Sequence, residues 1–122
     1  MGHSRTPILT ALALVLVTLV YAADVAGKWQ ASFNSGIGPQ KYTYEFKVDG
    51  ATLTGKADSG WGQTEIQEGK ISGDEISFVE IIDFAGDATR VTYKGKVSGD
   101  QIKFTRQVGE VGSEEFVAKR VK

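Results

Sequence analysis

The sequence predicts an all-β fold, an eight-stranded antiparallel up-and-down meander barrel, from three observations. A decapeptide recurs, GKISGDEISF at 69–78 and GKVSGDQIKF at 95–104, with a looser copy, FKVDGATLTG, at 46–55. From Gly27 onward apolar and polar residues alternate with the period of a strand, and no stretch sustains a helical period. The strands so read, over 27–34, 40–48, 52–58, 64–71, 75–83, 89–97, 101–108 and 113–121, follow one another through glycine-containing turns. Such a meander hides its two edges most economically by closing on itself.

The chain opens with a segment set apart from that domain. Residues 1–7 carry Arg5 and no acid, 8–20 are almost unbroken apolar sequence, and Val20-Tyr21-Ala22 offers small residues where a signal peptidase requires them. We therefore expect 1–22 to be a cleaved signal peptide, with cleavage after Ala23 as the alternative, and 23–122 to be a single exported domain, periplasmic or secreted. The competing reading, an uncleaved membrane anchor, meets an apolar run shorter than the roughly 20 residues of a spanning helix. No membrane association is expected after cleavage. The absence of cysteine excludes disulfides, thiolate chemistry and a bacterial lipid-modified N-terminus, so the domain must rely on one well-filled core. His3, the one histidine, leaves with the leader, and loss of Arg5 takes the formal charge from -1 to about -2. The lysines are interspersed with acids rather than gathered in a stripe, and no nucleic-acid partner is expected.

Taken in order, the first strand puts Trp29, Ala31 and Phe33 on one face, and the second puts Tyr42, Tyr44, Phe46 and Val48 opposite Thr43, Glu45 and Lys47. Glycine at the first central position of a two-residue turn suits type II′. The turn at Gly50 then sets Val48 across from Leu53 and Phe46 across from Gly55. In the fourth strand Ile66 and Ile71 have opposite parity, which a bulge near Glu68-Gly69 reconciles, leaving the faces of Glu65, Gln67 and Glu68 open. Gly73 pairs Ile71 with Ile76 and Gly69 with Phe78. Gly99 pairs Val97 with Ile102 and Gly95 with Phe104. A ring over a cross-strand glycine fills the missing side chain and permits a sharp bend, so these three Phe/Gly pairs are expected to close the barrel. The tight turns at Gly50, Gly73 and Gly99 share one end. The longer connections over 35–39, 59–63, 84–88 and 109–112 share the other, through which any ligand would enter.

Gly27-Lys28-Trp29, with Arg120 on the inward parity of the last strand, resembles the G-x-W and terminal arginine of the calycins, the group of lipocalins, avidins and certain periplasmic protease inhibitors. The resemblance implies that Trp29 lies across the closed end with Arg120 stacked over it. The segment 49–55 also looks like an avidin hairpin, and the repeated hairpins resemble those of small exported bacterial proteins. An avidin-type biotin site does not map onto the chain, the lipocalin helix has no room after the last strand, and the inhibitors' disulfide is missing.

One layer toward the looser rim, the same register sets Tyr44 across from Ala57, Gln67 from Glu80, and Tyr93 from Arg106. Tyr44, Glu80, Tyr93 and Arg106 would converge inside the barrel as the floor of a small-molecule site, or as an internal Glu80–Arg106 ion pair bridged by Tyr93 that satisfies only itself. Trp61, between two glycines at a rim tip, reads as a flexible lid or contact, or as a plug. With Ile37, Phe84 and Val111 it either closes the mouth or forms a contact patch. Val79 and Ile81 have outward parity; they mark a homo-oligomer contact through the outer wall or lie beneath a lysine stem.

Without histidine or cysteine the mature chain lacks the usual nucleophile, imidazole base and metal ligands. Glu114-Glu115 and Asp74-Glu75 point to opposite faces and cannot cooperate. No cofactor or metal is expected. Two readings remain: a non-enzymatic carrier of a small, partly apolar ligand, and a module that binds an extracytoplasmic protein, such as an inhibitor of a secreted hydrolase.

Overall fold

The computed structural model describes residues 24–35, 38–84 and 86–122, Phe84 by its backbone alone. The expected signal peptide and Ile37 lie outside the described residues. The strands are β1 (Gly27–Ser35), β2 (Gly38–Asp49), β3 (Thr52–Asp58), β4 (Gln63–Glu65), β5 (Gln67–Ser72), β6 (Glu75–Phe84), β7 (Asp87–Ser98), β8 (Gln101–Val108) and β9 (Gly112–Arg120). All neighbours are antiparallel, and the sheet closes through β1–β9 and β2–β3. β4 and β5 together form one stave, broken at Ile66, so the closed barrel has eight staves. An eight-stranded antiparallel barrel of this kind fits a calycin-like small barrel.

The three hairpins fall in the expected register, with Val48 opposite Leu53, Ile71 opposite Ile76 and Val97 opposite Ile102. Gly50, Gly73 and Gly99 have φ of 61°, 61° and 60°, the left-handed value that the first central residue of a type II′ turn requires and that glycine alone takes without steric cost. The parity conflict in the fourth stave resolves as a bulge: pairing shifts between Gln67 and Lys70, and Glu68 sits at φ 54°. The bulge places Gln67 opposite Val79, not Glu80, and leaves it exposed.

Phe46, Phe78 and Phe104 are almost wholly buried and meet in the barrel centre, with ring centroids 5.5 Å (46–78) and 5.9 Å (78–104) apart. Burying each such ring contributes about 1.5–3 kcal/mol. Phe46 faces Gly55 and Phe104 faces Gly95 across the ladder, but the expected Gly69–Phe78 pair is lost where the bulge shifts the register, and the reason for glycine differs from the expectation at two sites. A Cβ at Gly95 would meet the Phe104 ring at 2.8 Å, as a ring-over-glycine pair requires. At Gly55 and Gly69 it would instead run into the backbone carbonyls of Glu45 and Leu53. There it is backbone approach at the bends around β3, rather than the aromatic ring, that excludes a side chain.

At the tight-turn end Trp29 is fully buried and donates from Nε1 to the Val25 carbonyl at 3.0 Å. Arg120 pairs across the ladder with Trp29 and stacks on its ring at 4.4 Å. It donates to the carbonyls of Ala26 (3.0 Å) and Asp24 (2.6 Å) and to Asp100 Oδ1 (3.0 Å). The cap implied by the calycin resemblance is present. Two expectations about faces fail. Val48, placed inside by alternation, is 38% exposed at its strand end. Val79, expected to face solvent, is buried although its parity is outward. Glu68 on β5 and Arg90 on β7 flank β6, and their 2.7 Å ion pair crosses its outer wall. Ile81 is half-buried.

Candidate functional site

Above the phenylalanine belt, toward the longer connections, the barrel interior turns polar. Alternation on β6, β7 and β8 carries Glu80, Tyr93 and Arg106 inward, and Tyr93 and Arg106 are a direct cross-strand pair. Tyr44 and Tyr93 are fully buried, Glu80 is 1% exposed and Arg106 is 4% exposed. The four residues converge as expected. The Tyr93 hydroxyl is the hub: it donates to Glu80 Oε1 (2.9 Å) and accepts from Arg106 Nε (2.9 Å) and the Tyr44 hydroxyl (3.1 Å). Glu80 Oε2 accepts from the Thr64 hydroxyl at 2.7 Å. The phenol therefore stands between the carboxylate and the guanidinium, where direct pairing would have joined them.

Arg106 finds its ion-pair partner elsewhere. Nη1 lies 3.5 Å from Glu114 Oε2, at the long limit for a hydrogen bond, and Nη2 donates to the Tyr42 hydroxyl at 3.2 Å. The guanidinium also lies over the rings of Tyr42 (5.2 Å), Phe33 (5.4 Å) and Tyr93 (5.6 Å). A guanidinium has five N–H donors. Among the described residues, two of those of Arg106 have no protein acceptor.

Burial pushes the Tyr44 and Tyr93 hydroxyls well above the ordinary phenol value, helped at Tyr93 by Tyr44 and Glu80, and lifts Tyr42 in the same direction. All three are neutral phenols at neutral pH. Burial acts against the Arg106 charge, but the Tyr93 and Tyr42 oxygens outweigh it and hold the guanidinium pKa above its usual value.

Arg106, Tyr42 and Glu114 line a cavity of about 410 Å³ at the looser rim, together with the polar Asn34, Gln40 and Ser113 and the apolar Ile82, Val108 and Val111. The cavity lies where the last closure of the barrel lapses. β1 and β9 pair only from Trp29–Arg120 to Ala31–Ala118. Beyond that, the rings of Phe33 and Phe116 stack at 4.1 Å, and Asn34 and Ser35 face Gly112, Ser113 and Glu114 across the opening. Below it Tyr44, Tyr93, Phe104 and Phe116 fill the barrel. A larger hollow, about 710 Å³, lies on the outer wall among Lys70, Lys94, Lys96 and Lys103 and includes none of the polar cluster.

Trp61 does not join the site. It is 94% exposed, does not line the cavity, and is carried on a turn in which Gly60 N donates to Asp58 Oδ1 (2.8 Å) and Ser59 N to Gly62 O (3.0 Å). Sequence reasoning missed Tyr42, Phe33, Thr64 and Glu114 as members. Glu114 shares its parity with Phe116, Ala118 and Arg120, which was the available signal.

No family model matches the chain, and no match is found among curated proteins. Among solved structures the chain is similar to a "REP1-NXSQ fatty acid transporter", with 20% identity, a TM-score of 0.54, and coverage of 83% of this chain and 98% of that one. At that identity the likeness is one of fold.

Proposed function

We propose that the chain is an exported, non-enzymatic binding protein that holds a small, partly apolar ligand in the mouth of its barrel. The observation that carries this reading is a buried Arg106, held by Tyr93, Tyr42 and a loosely placed Glu114, on a cavity of about 410 Å³ that Ile82, Val108 and Val111 also line. Polar and apolar groups in one lining suit a small amphiphile. The similarity in fold to a fatty acid transporter agrees with such a ligand. Protein-detected NMR titration with short-chain amphiphiles should shift the signals of Val108, Val111 and Ile82, and Arg106→Gln should remove the response. A wild-type spectrum unmoved by every amphiphile would reject the reading.

A second reading is favoured by Trp61 and Val111, which are 94% and 68% exposed at the same rim. In it the rim loops dock on an extracytoplasmic protein such as a secreted hydrolase, and an exposed tryptophan is a typical anchor. Trp61→Ser would then weaken capture of that protein and leave amphiphile binding unchanged.

A further inference from the structure

Resting on the carrier reading above, we infer that the ligand is a short organic acid and that Glu114 is a built-in competitor for its acidic end. Arg106 and Glu114 are directly opposed on β8 and β9, and both side chains border the cavity. The contact between them is loose, 3.5 Å from Nη1 to Oε2, whereas the Arg106 bonds to Tyr93 and Tyr42 are 2.9 and 3.2 Å. Glu114 is also the less buried partner, with its side chain 16% exposed against 4% for Arg106. One carboxylate thus rests against the cavity-facing edge of a guanidinium that keeps two further N–H groups unassigned among the described residues. A ligand acid would take that edge, bidentate if both nitrogens are used, once Glu114 swings toward the rim.

The surrounding charges make this a competition rather than an addition. Arg106 is the one cation of the cluster, while Glu80 and Glu114 are both acids, and Glu80 is held away by Tyr93 and Thr64. A second carboxylate placed beside Glu114 would be unpaired in a poorly solvated site. Displacement of Glu114 avoids that, and lets it reach water at the open rim. The filled floor sets the size: with Tyr44 and Tyr93 fully buried beneath the guanidinium, the apolar body of the acid must lie outward along Ile82, Val108 and Val111. It cannot thread the barrel axis.

The test compares octanoate with octanol, its neutral counterpart, by calorimetric titration of wild type, Glu114→Gln, Glu114→Ala and Tyr42→Phe. Octanoate should bind about tenfold more tightly to both Glu114 variants than to wild type, with octanol moved less than twofold. Tyr42→Phe should weaken octanoate selectively, because the fixed geometry of the guanidinium depends on that hydroxyl. Octanoate binding that is unchanged or weakened in both Glu114 variants would overturn the inference while leaving the carrier reading in place. Failure of both compounds to bind any of the four proteins would overturn both. Equal gains for octanol and octanoate would show that removing Glu114 merely widens the cavity, and would also overturn the inference.

Discussion

The two ends of the barrel use one chemical device for two purposes. At each end an inward arginine lies on an aromatic surface, Arg120 on Trp29 at 4.4 Å and Arg106 on Tyr42, Phe33 and Tyr93 at 5.2–5.6 Å. The difference is in what accepts their protons. Arg120 donates to two backbone carbonyls and Asp100, and carbonyls belonging to the chain's own N-terminal approach cannot be exchanged without undoing the cap. Arg106 donates to two buried phenols and a loosely held carboxylate, Glu114. Backbone acceptors make a fastener, whereas a long side-chain contact leaves one acceptor that the proposed ligand could replace.

Several changes would break or sharpen that contrast. The largest effect is expected in the glycine belt that separates the ends. Gly55→Ala and Gly69→Ala drive a methyl into backbone carbonyls and should each cost at least about 3 kcal/mol, a large share of the roughly 5–15 kcal/mol that holds a domain folded. Gly95→Ala meets only side-chain atoms and should cost about 1–3 kcal/mol by urea unfolding. If Gly55→Ala proves as mild as Gly95→Ala, the close backbone approach described for β3 is wrong. Arg106→Ala leaves Glu80 buried with no cation in the cluster and should cost about 3–5 kcal/mol. Arg120→Ala removes a half-exposed cap and should cost about 1–2 kcal/mol. A reversed order of these two would erase the distinction drawn between the ends.

Alkaline titration tests the polar cluster without mutation. Tyr42, Tyr44 and Tyr93 have folded-state pKa values raised above the unfolded value of about 10. The fold thus favours their proton-bound form, so their stabilising contribution is complete below pH about 10 and is lost as pH climbs through the raised values. Phenolate absorbance near 295 nm should therefore rise together with loss of near-ultraviolet circular dichroism, in one transition. A gradual rise near pH 10 with the fold intact would place these phenols in water. The smallest effect is expected at Trp61, where Trp61→Ser should change unfolding free energy by less than about 0.5 kcal/mol. A larger loss would mean that the turn carrying it contributes to the barrel.

Much of the fold could be read from short-range pattern. The register of all three tight hairpins, the bulge at Glu68 and the Tyr93–Arg106 pairing each depend on neighbours in one strand or one hairpin, whereas the Trp29–Arg120 cap, which joins β1 to β9, followed from the calycin resemblance. The misses are of another kind. Gln67 loses its expected pairing with Glu80 because the bulge shifts the register of the strand before it. Val79 is buried despite its outward parity, beside a Glu68–Arg90 pair whose members come from the two strands flanking its own. Glu114 was dismissed for being adjacent to Glu115, although adjacency itself guarantees that one of the two faces inward.

By itself the order of residues determined which strands exist, how they pair and which rings fill the middle, because alternation and two-residue turns act over a few bonds. Only the closed tertiary structure decided that β1 and β9 part company after Ala31 and Ala118, that Arg106 answers to Glu114 rather than Glu80, and that Trp61 stands apart. Those outcomes depend on how staves distant in sequence meet when the sheet rolls shut, and no local pattern encodes a distance across a barrel.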